Sequence, residues 1–336
     1  MGKAIAAVDL GGTNIRAALY SESGEALAQC VLPTLAHEGL EPTLGRIFKA
    51  IEEVLKGGGG LVAIGVGAPG PLDPWKGVIF SAPNLPGWEN VPLAEILAER
   101  FGVPAFVGND ANVAALAEHR LGAGRGFSDI IYITVSTGIG GGIIADGKLL
   151  LGAKGFAGEV GHIVVKPDGP QCGCGGKGCV EALASGTAIA REALRRIKAG
   201  ESSSIPKFVS GPLESLTAKE VAMAAMEGDA LAQDIFKEAG YYLGLSFVSL
   251  IHIFNPSRII IGGGVAKVGR LLLEPAEETV KKLTMREFLE EFKIVPAALG
   301  DEAGLLGAYL LAKESLYSSS SNSSSKASIH SSSIGL

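Results

Sequence analysis

Between His162 and Cys179 the chain carries one imidazole and three thiols: His162, Cys172, Cys174 and Cys179. That Cys₃His set is the donor chemistry of a tetrahedral structural Zn²⁺. Glycines at 173, 175, 176 and 178 let a short loop wrap an ion closely. The competing reading is a reduced loop without metal, but a chance gathering of three thiols and a histidine is improbable. With all four positions supplied by protein, the metal would organise the loop and leave catalysis to other groups. Glu159 and Glu181 bracket the set and are not needed as ligands. Carboxylates beside a rigid loop are good acceptors for sugar hydroxyls, or else solvated surface charges.

Two glycine-rich turns carry a second kind of chemistry. Asp9-Leu10-Gly11-Gly12-Thr13-Asn14 puts a carboxylate at the end of a strand-like run, followed by two glycines and a hydroxyl. Glycines leave backbone N–H groups open to phosphate oxygens, and the carboxylate suits the Mg²⁺ that accompanies ATP. Thr137-Gly138-Ile139-Gly140-Gly141-Gly142 is a similar turn. Each alone is equally an ordinary hairpin turn; the two together, at matching places, point to a shared phosphate site. Asp110, in Gly108-Asn109-Asp110-Ala111-Asn112, has two open readings. It is a helix N-cap, or the base that accepts a hydroxyl proton during phosphoryl transfer.

The elements that position these residues follow from periodicity and breakers. Strands are expected over 4–10, 15–20 and 26–32, a helix over 40–56 stopped by the glycines at 57–60, and a strand over 61–67. A helix over 92–101, a short strand at 105–107 and a helix over 110–121 follow. At residue 130 the opening pattern recurs: strand 130–135, glycine turn, strand 141–145, turn at Asp146-Gly147. Two copies about 125 residues apart suggest two domains of one ancestry. Helices are expected over 182–199, 218–227 and 230–253, strands over 257–261 and 292–297, and a last helix over 303–311.

Composition narrows the function classes. A net charge of −6 disfavours a nucleic-acid partner. The most apolar stretch, 243–254, is too short to cross a membrane and reads as a buried helix. No export signal is evident at the N-terminus, and clustered cysteines imply reduced thiols, so the cytoplasm is the expected compartment. Eleven serines in the last nineteen residues mark a segment too polar to dock, expected to be disordered.

Taken together these motifs resemble the ROK family, which holds bacterial sugar kinases and sugar-responsive repressors. The specific part is Gly158-Glu159-Val160-Gly161-His162 through Cys172-Gly173-Cys174 to Gly178-Cys179-Val180-Glu181. The two glycine turns, Asn109-Asp110, Asn255-Pro256 and Gly262-Gly263-Gly264 fit the family's other blocks. The resemblance implies an α/β, actin-like fold of the ribonuclease-H type, with two lobes around a ligand cleft. The lobes would be 1–120, rejoined by a helix near 302–316, and 121–301, with a tail over 317–336. It implies Asp110 as catalytic base and Asn84, Asn109, Asp110, Glu159, His162 and Glu181 as sugar ligands. Asp9, Gly11, Gly12, Thr13, Asn14, Thr137 and Gly138 would face ATP phosphates and Mg²⁺, and Gly263 and Gly264 the adenosine.

Family repressors carry a DNA-binding domain ahead of the first glycine turn. Here eight residues precede Asp9, so a kinase is the expectation. A silent sugar-binding module would not need Asp9, Thr13 and Asp110 together. The run from Ala82 through Asn84 to Trp88 looks like the family's glucokinases, which implies transfer to the 6-hydroxyl of glucose. Another hexose, or polyphosphate as donor, is the alternative. The resemblance also suggests a homodimer or homotetramer.

Overall fold

The computed structural model describes residues 2–82 and 84–327. The chain divides into two compact units. The first is Met1–Ala117, Leu151–Phe156 and Asp301–Leu336; the second is Glu118–Leu150 and Ala157–Gly300.

In the first unit, β1 (Lys3–Leu10), β2 (Asn14–Ser21) and β3 (Ala26–Pro33) form the meander. Then come α1 (Leu40–Leu55), β4 (Gly60–Ala68), α2 (Leu93–Phe101), β8 (Ala105–Asn109) and α3 (Asp110–Arg120). Between β4 and α2 lies a small antiparallel sheet of β5 (Leu72–Asp73), β6 (Val78–Ser81) and β7 (Glu89–Val91). These strands of two to four residues are too short to show a period and were not expected. The main sheet has the order β3-β2-β1-β4-β8, with β1, β4 and β8 parallel. Its apolar faces bury Ile5, Val8, Leu19, Ile64 and Val66.

The last helix, Ala303–Ala327, packs on β1 and β4. Contact is so close that a Cβ at Gly65 would stand 1.9 Å from the Ala308 carbonyl oxygen. The helix runs well past 311 and into the serine-rich segment expected to be disordered. Serine costs only a few tenths of a kcal/mol per helical position, and a helix already nucleated adds turns easily. Residues 328–336 lie outside the described residues. The segment Leu151–Phe156, expected with the second domain, belongs to the first unit. Gly155 abuts Pro74, and the Phe156 ring meets Phe80 edge-on at 6.0 Å.

The second unit repeats the topology. Its sheet, of β9 (Ile130–Val135), β10 (Ile139–Ala145), β11 (Lys148–Leu149), β12 (Arg258–Gly262) and β13 (Lys293–Pro296), has the order β11-β10-β9-β12-β13. Numbered within each unit, both sheets read 3-2-1-4-5, with strands 1, 4 and 5 parallel and strand 2 antiparallel. The duplication inferred from two glycine turns thus extends to whole sheets.

Helices α4 (Glu181–Ala184), α5 (Gly186–Lys198), α6 (Ala218–Met226), α7 (Ala230–Phe254) and α8 (Arg270–Leu283) complete the unit. The single helix expected over 182–199 is broken at Ser185, whose backbone is extended and whose hydroxyl accepts from the Ala188 N–H. Ser185 is an N-cap, which starts a helix rather than continuing one. Helix α7 buries Leu243, Phe247, Leu250 and Ile251 of the apolar stretch. Among the described residues no helix is long and apolar enough to cross a membrane.

Candidate active site

In the first unit the site residues gather at the carboxyl ends of the parallel strands, where open α/β sheets bind ligands. Register sets Asp9 beside Gly67 and Ala68 beside Asn109. Burial holds the Asp9 carboxyl above its ordinary value of 3.8, with Arg16 pulling the other way. In the turn after β1, the Gly11 N–H donates to the Asn14 carbonyl, and the Thr34 hydroxyl and N–H donate to the Gly11 and Thr13 carbonyls. Among the described residues, no backbone carbonyl accepts from the amides of Gly12 and Thr13, the arrangement an anion nest needs. Asn84 lies against Gly12, its Cβ 3.2 Å from where a Cβ there would stand.

The two open readings of Asp110 separate here. Asn109 Oδ1 accepts from the N–H groups of Ala111 at 3.0 Å and Asn112 at 3.3 Å, so Asn109 is the N-cap of α3. Asp110 is the first residue inside the helix, with Oδ1 2.7 Å from the Ala111 N–H. With Asn109 holding the cap, Asp110 is not the capping residue of α3.

In the second unit His162, Cys172, Cys174 and Cys179 come together, their ligand atoms all within 4.8 Å of one another. Tetrahedral Zn–S bonds of about 2.3 Å set sulfur atoms roughly 3.8 Å apart. Cys174 and Cys179 Sγ stand 3.7 Å apart, and Cys172 Sγ is 3.6 Å from His162 Nδ1. The residues fit zinc, with Nδ1 as the nitrogen facing it. The other nitrogen, Nε2, is 3.9 Å from a carboxylate oxygen of the exposed Glu159. Burial pushes the Cys172 thiol up and the Cys179 thiol up to about 12, whereas hydrogen bonding from the Gly176 amide lowers Cys174.

Glu181 does more than bracket this loop. Its Oε2 accepts from the Ile139 N–H at 2.9 Å, in the second glycine turn. Sequence reasoning missed this link, because nothing in the spacing pairs residues 42 positions apart. The turn itself follows the first one in construction. The Ser136 N–H donates to the Gly138 carbonyl, while the Ser136 and Thr137 carbonyls accept from the Gly186 and Thr187 N–H groups. No backbone carbonyl of the described residues accepts from the amides of Thr137 and Gly138.

Beside that turn opens a cavity of about 820 Å³, lined by Ser136, Thr137, Thr187, Lys219, Met223 and Gly264, among others. Gly264 borders it. Gly263 does not line it but fixes the bend behind it: φ is +91°, and a Cβ would meet the Val135 carbonyl oxygen at 2.3 Å. The α5 and α6 contributions to the lining were not read from sequence. Gly186-Thr187 after Ser185 was the available signal, hidden by the assumption of one continuous helix. Gly304 was also missed. A Cβ there would lie 2.7 Å from Asp9 Oδ2, and a glycine just inside a helix is costly enough to signal such close packing.

The ROK family model matches residues 5–315. This chain belongs to the ROK family. It shows the family's actin-like, ribonuclease-H-type α/β fold, one sheet in each unit. It is 41% identical to a glucokinase of Thermotoga maritima over 307 residues, 91% of this chain and 96% of that protein. A ROK glucokinase of Streptomyces griseus, solved with glucose and AMPPNP, superposes with a TM-score of 0.80 at 38% identity, covering 93% and 99% of the two chains. The chain is also 35% identical to the Escherichia coli regulator NagC over 92% of its own length and 75% of that protein's.

Proposed function

We propose that the chain is an ATP-dependent glucokinase that makes glucose 6-phosphate. The observation that carries the reading is identity of 37–41% to glucokinases of three genera over nearly their whole lengths, with each unit presenting an open-amide glycine turn. On this reading Asn84, Asn109 and Asp110 of the first unit and Glu159, His162 and Glu181 of the second are the sugar ligands. Asn109 Oδ1 is committed to the cap, which leaves its Nδ2 to donate to a sugar hydroxyl.

Asp110 takes the proton from O6 as the O6–Pγ bond forms. The bond from Pγ to the β–γ bridging oxygen breaks, and ADP departs with that electron pair. In a loose transition state the proton leaves late, so an ordinary carboxylate suffices. Amides of Gly12, Thr13, Thr137 and Gly138 face the phosphate oxygens, and the 820 Å³ cavity takes the adenosine. Asp9 would hold Mg²⁺ together with the nucleotide, and the ion would neutralise phosphate charge. Zinc would hold the loop in shape. Three thiols kept for one metal site suit a reducing cytoplasm.

The test is ADP release across a panel of hexoses, repeated with polyphosphate as donor. Glucose with ATP should give the highest kcat/KM. Preference for mannose, fructose or an N-acetylhexosamine would move the substrate while keeping the kinase. No phosphorylation of any hexose would overturn the reading and favour the sugar-sensing role of the regulator relatives.

A further inference from the structure

In the second glycine turn both backbone polar groups of Ile139 are met by segments that adjoin metal-ligating residues. The Ile139 N–H donates to Glu181 Oε2 at 2.9 Å. Glu181 follows Cys179 by two residues and opens α4. On the carbonyl side, Gly161 approaches so closely that a Cβ there would stand 2.1 Å from the Ile139 oxygen. Gly161 immediately precedes His162. Next door, a Cβ at Gly138 would meet Glu181 Oε2 at 2.6 Å, so a side chain there would push the carboxylate off the Ile139 N–H.

We propose that Glu181 is a positioning residue, a strut through which the Cys/His loop sets the shape of the Thr137–Gly138 turn. Fixing His162 and Cys179 on one ion fixes the segments on either side of Ile139 together. The turn is braced further along by Gly186 and Thr187, which follow α4 and hold the Ser136 and Thr137 carbonyls, the Thr187 hydroxyl at 2.9 Å. What the brace leaves unbonded to backbone carbonyls is the pair of amides that the proposed function turns toward phosphate. The carboxylate spans the loop and the turn: Oε2 accepts from the Ile139 N–H, while Oε1 lies 3.8 Å from Cys172 Sγ and is the oxygen turned away from the glycine turn for a sugar hydroxyl. Metal loading then governs nucleotide affinity as well as sugar recognition, and this second consequence rests on the kinase reading.

Amide hydrogen exchange followed by NMR on the zinc-loaded chain tests the strut without any turnover. Ile139 should be protected in the wild type and exchange at least about tenfold faster in Glu181→Ala, with Ile131 and Ile133 of β9 unchanged as the control for an intact fold. Stripping the metal with a chelator should produce the same local loss. Glu181→Gln keeps a carbonyl oxygen for Ile139 and should restore protection, which separates the strut from a general loss of folding. Titration with Mg-AMPPNP in the absence of sugar gives the second readout, with Glu181→Ala binding roughly tenfold more weakly and Glu181→Gln near wild type. Ile139 protection unchanged in Glu181→Ala, or unchanged on metal removal with the β9 amides intact, overturns the strut. Wild-type protein that fails to bind Mg-AMPPNP overturns the kinase reading instead and leaves the exchange result to decide the strut alone.

Discussion

Asp110 and Asn109 are neighbours with separable duties, and substitutions should pull them apart. Because Asn109 caps α3, Asp110→Asn should leave the melting temperature near wild type. It should lower kcat by roughly 10²–10⁴-fold, the usual worth of a positioned general base, while glucose still binds by calorimetry. A variant keeping a tenth of wild-type kcat would remove Asp110 from the mechanism. Asn109→Ala should show a loss of about 0.5–2 kcal/mol of stability for the missing cap. Asp9 makes the opposite bargain. Its carboxyl is raised above 3.8, first by burial and against the pull of Arg16. A raised acid contributes stability below its unfolded value and loses it as pH climbs through the folded one. At neutral pH the burial of Asp9 therefore costs the ligand-free protein stability. Asp9→Asn should melt higher than wild type at pH 7 without nucleotide and match it below about pH 3.8, while catalysis falls. Equal melting curves at pH 7 would refute the burial argument.

At the scale of elements, the metal loop is the sharpest case. The protein should carry about one zinc per chain, and chelation should cost stability as well as activity, since closed zinc sites contribute folding energy. Thiols held up by burial at Cys172 and Cys179 must release their protons to bind metal. Zinc affinity should accordingly fall as pH drops, measured by competition with a chromogenic chelator. Cys30, on β3 outside the cluster, should be replaceable by serine with no loss of zinc. The loop was legible in sequence because metal chemistry demands particular side chains at short spacing. The two glycine turns and the strands around them were legible too, since apolar runs broken by glycine mark strand–turn–strand units. Helix α8 was not, because Pro275 reads as a stop yet sits inside it. The brace at Glu181 was invisible for a different reason. A backbone amide leaves no mark in the residue type that carries it, so Ile139 gave no sign of needing an acceptor.

For the whole molecule, the division into units decides which ends matter. The last helix is anchored along its first four turns: Tyr309 is 3% exposed, and its ring centroid lies 4.9 Å from that of Tyr20. Tyr309 and Lys313 both donate to the Glu22 carbonyl. Removal of residues beyond Tyr317 should leave activity and melting temperature unchanged, whereas a chain ending before Tyr309 should lose both. The same helix has a consequence for biosynthesis. Gly65 and Asp9 are packed by Ala308 and Gly304, so the sheet made first is closed by residues made last. Between them the ribosome must add Glu118–Gly300, which contains the whole of the other unit and takes roughly 10–40 s at bacterial elongation rates. The nascent chain should thus acquire its protease-resistant second unit while the first is still open on one face. Ribosomes stalled with residue 300 just clear of the exit tunnel should yield a protected fragment from the second unit and rapid cleavage before Ala117. An N-terminal half that waits in this way is the part of the protein most dependent on holdase chaperones during synthesis.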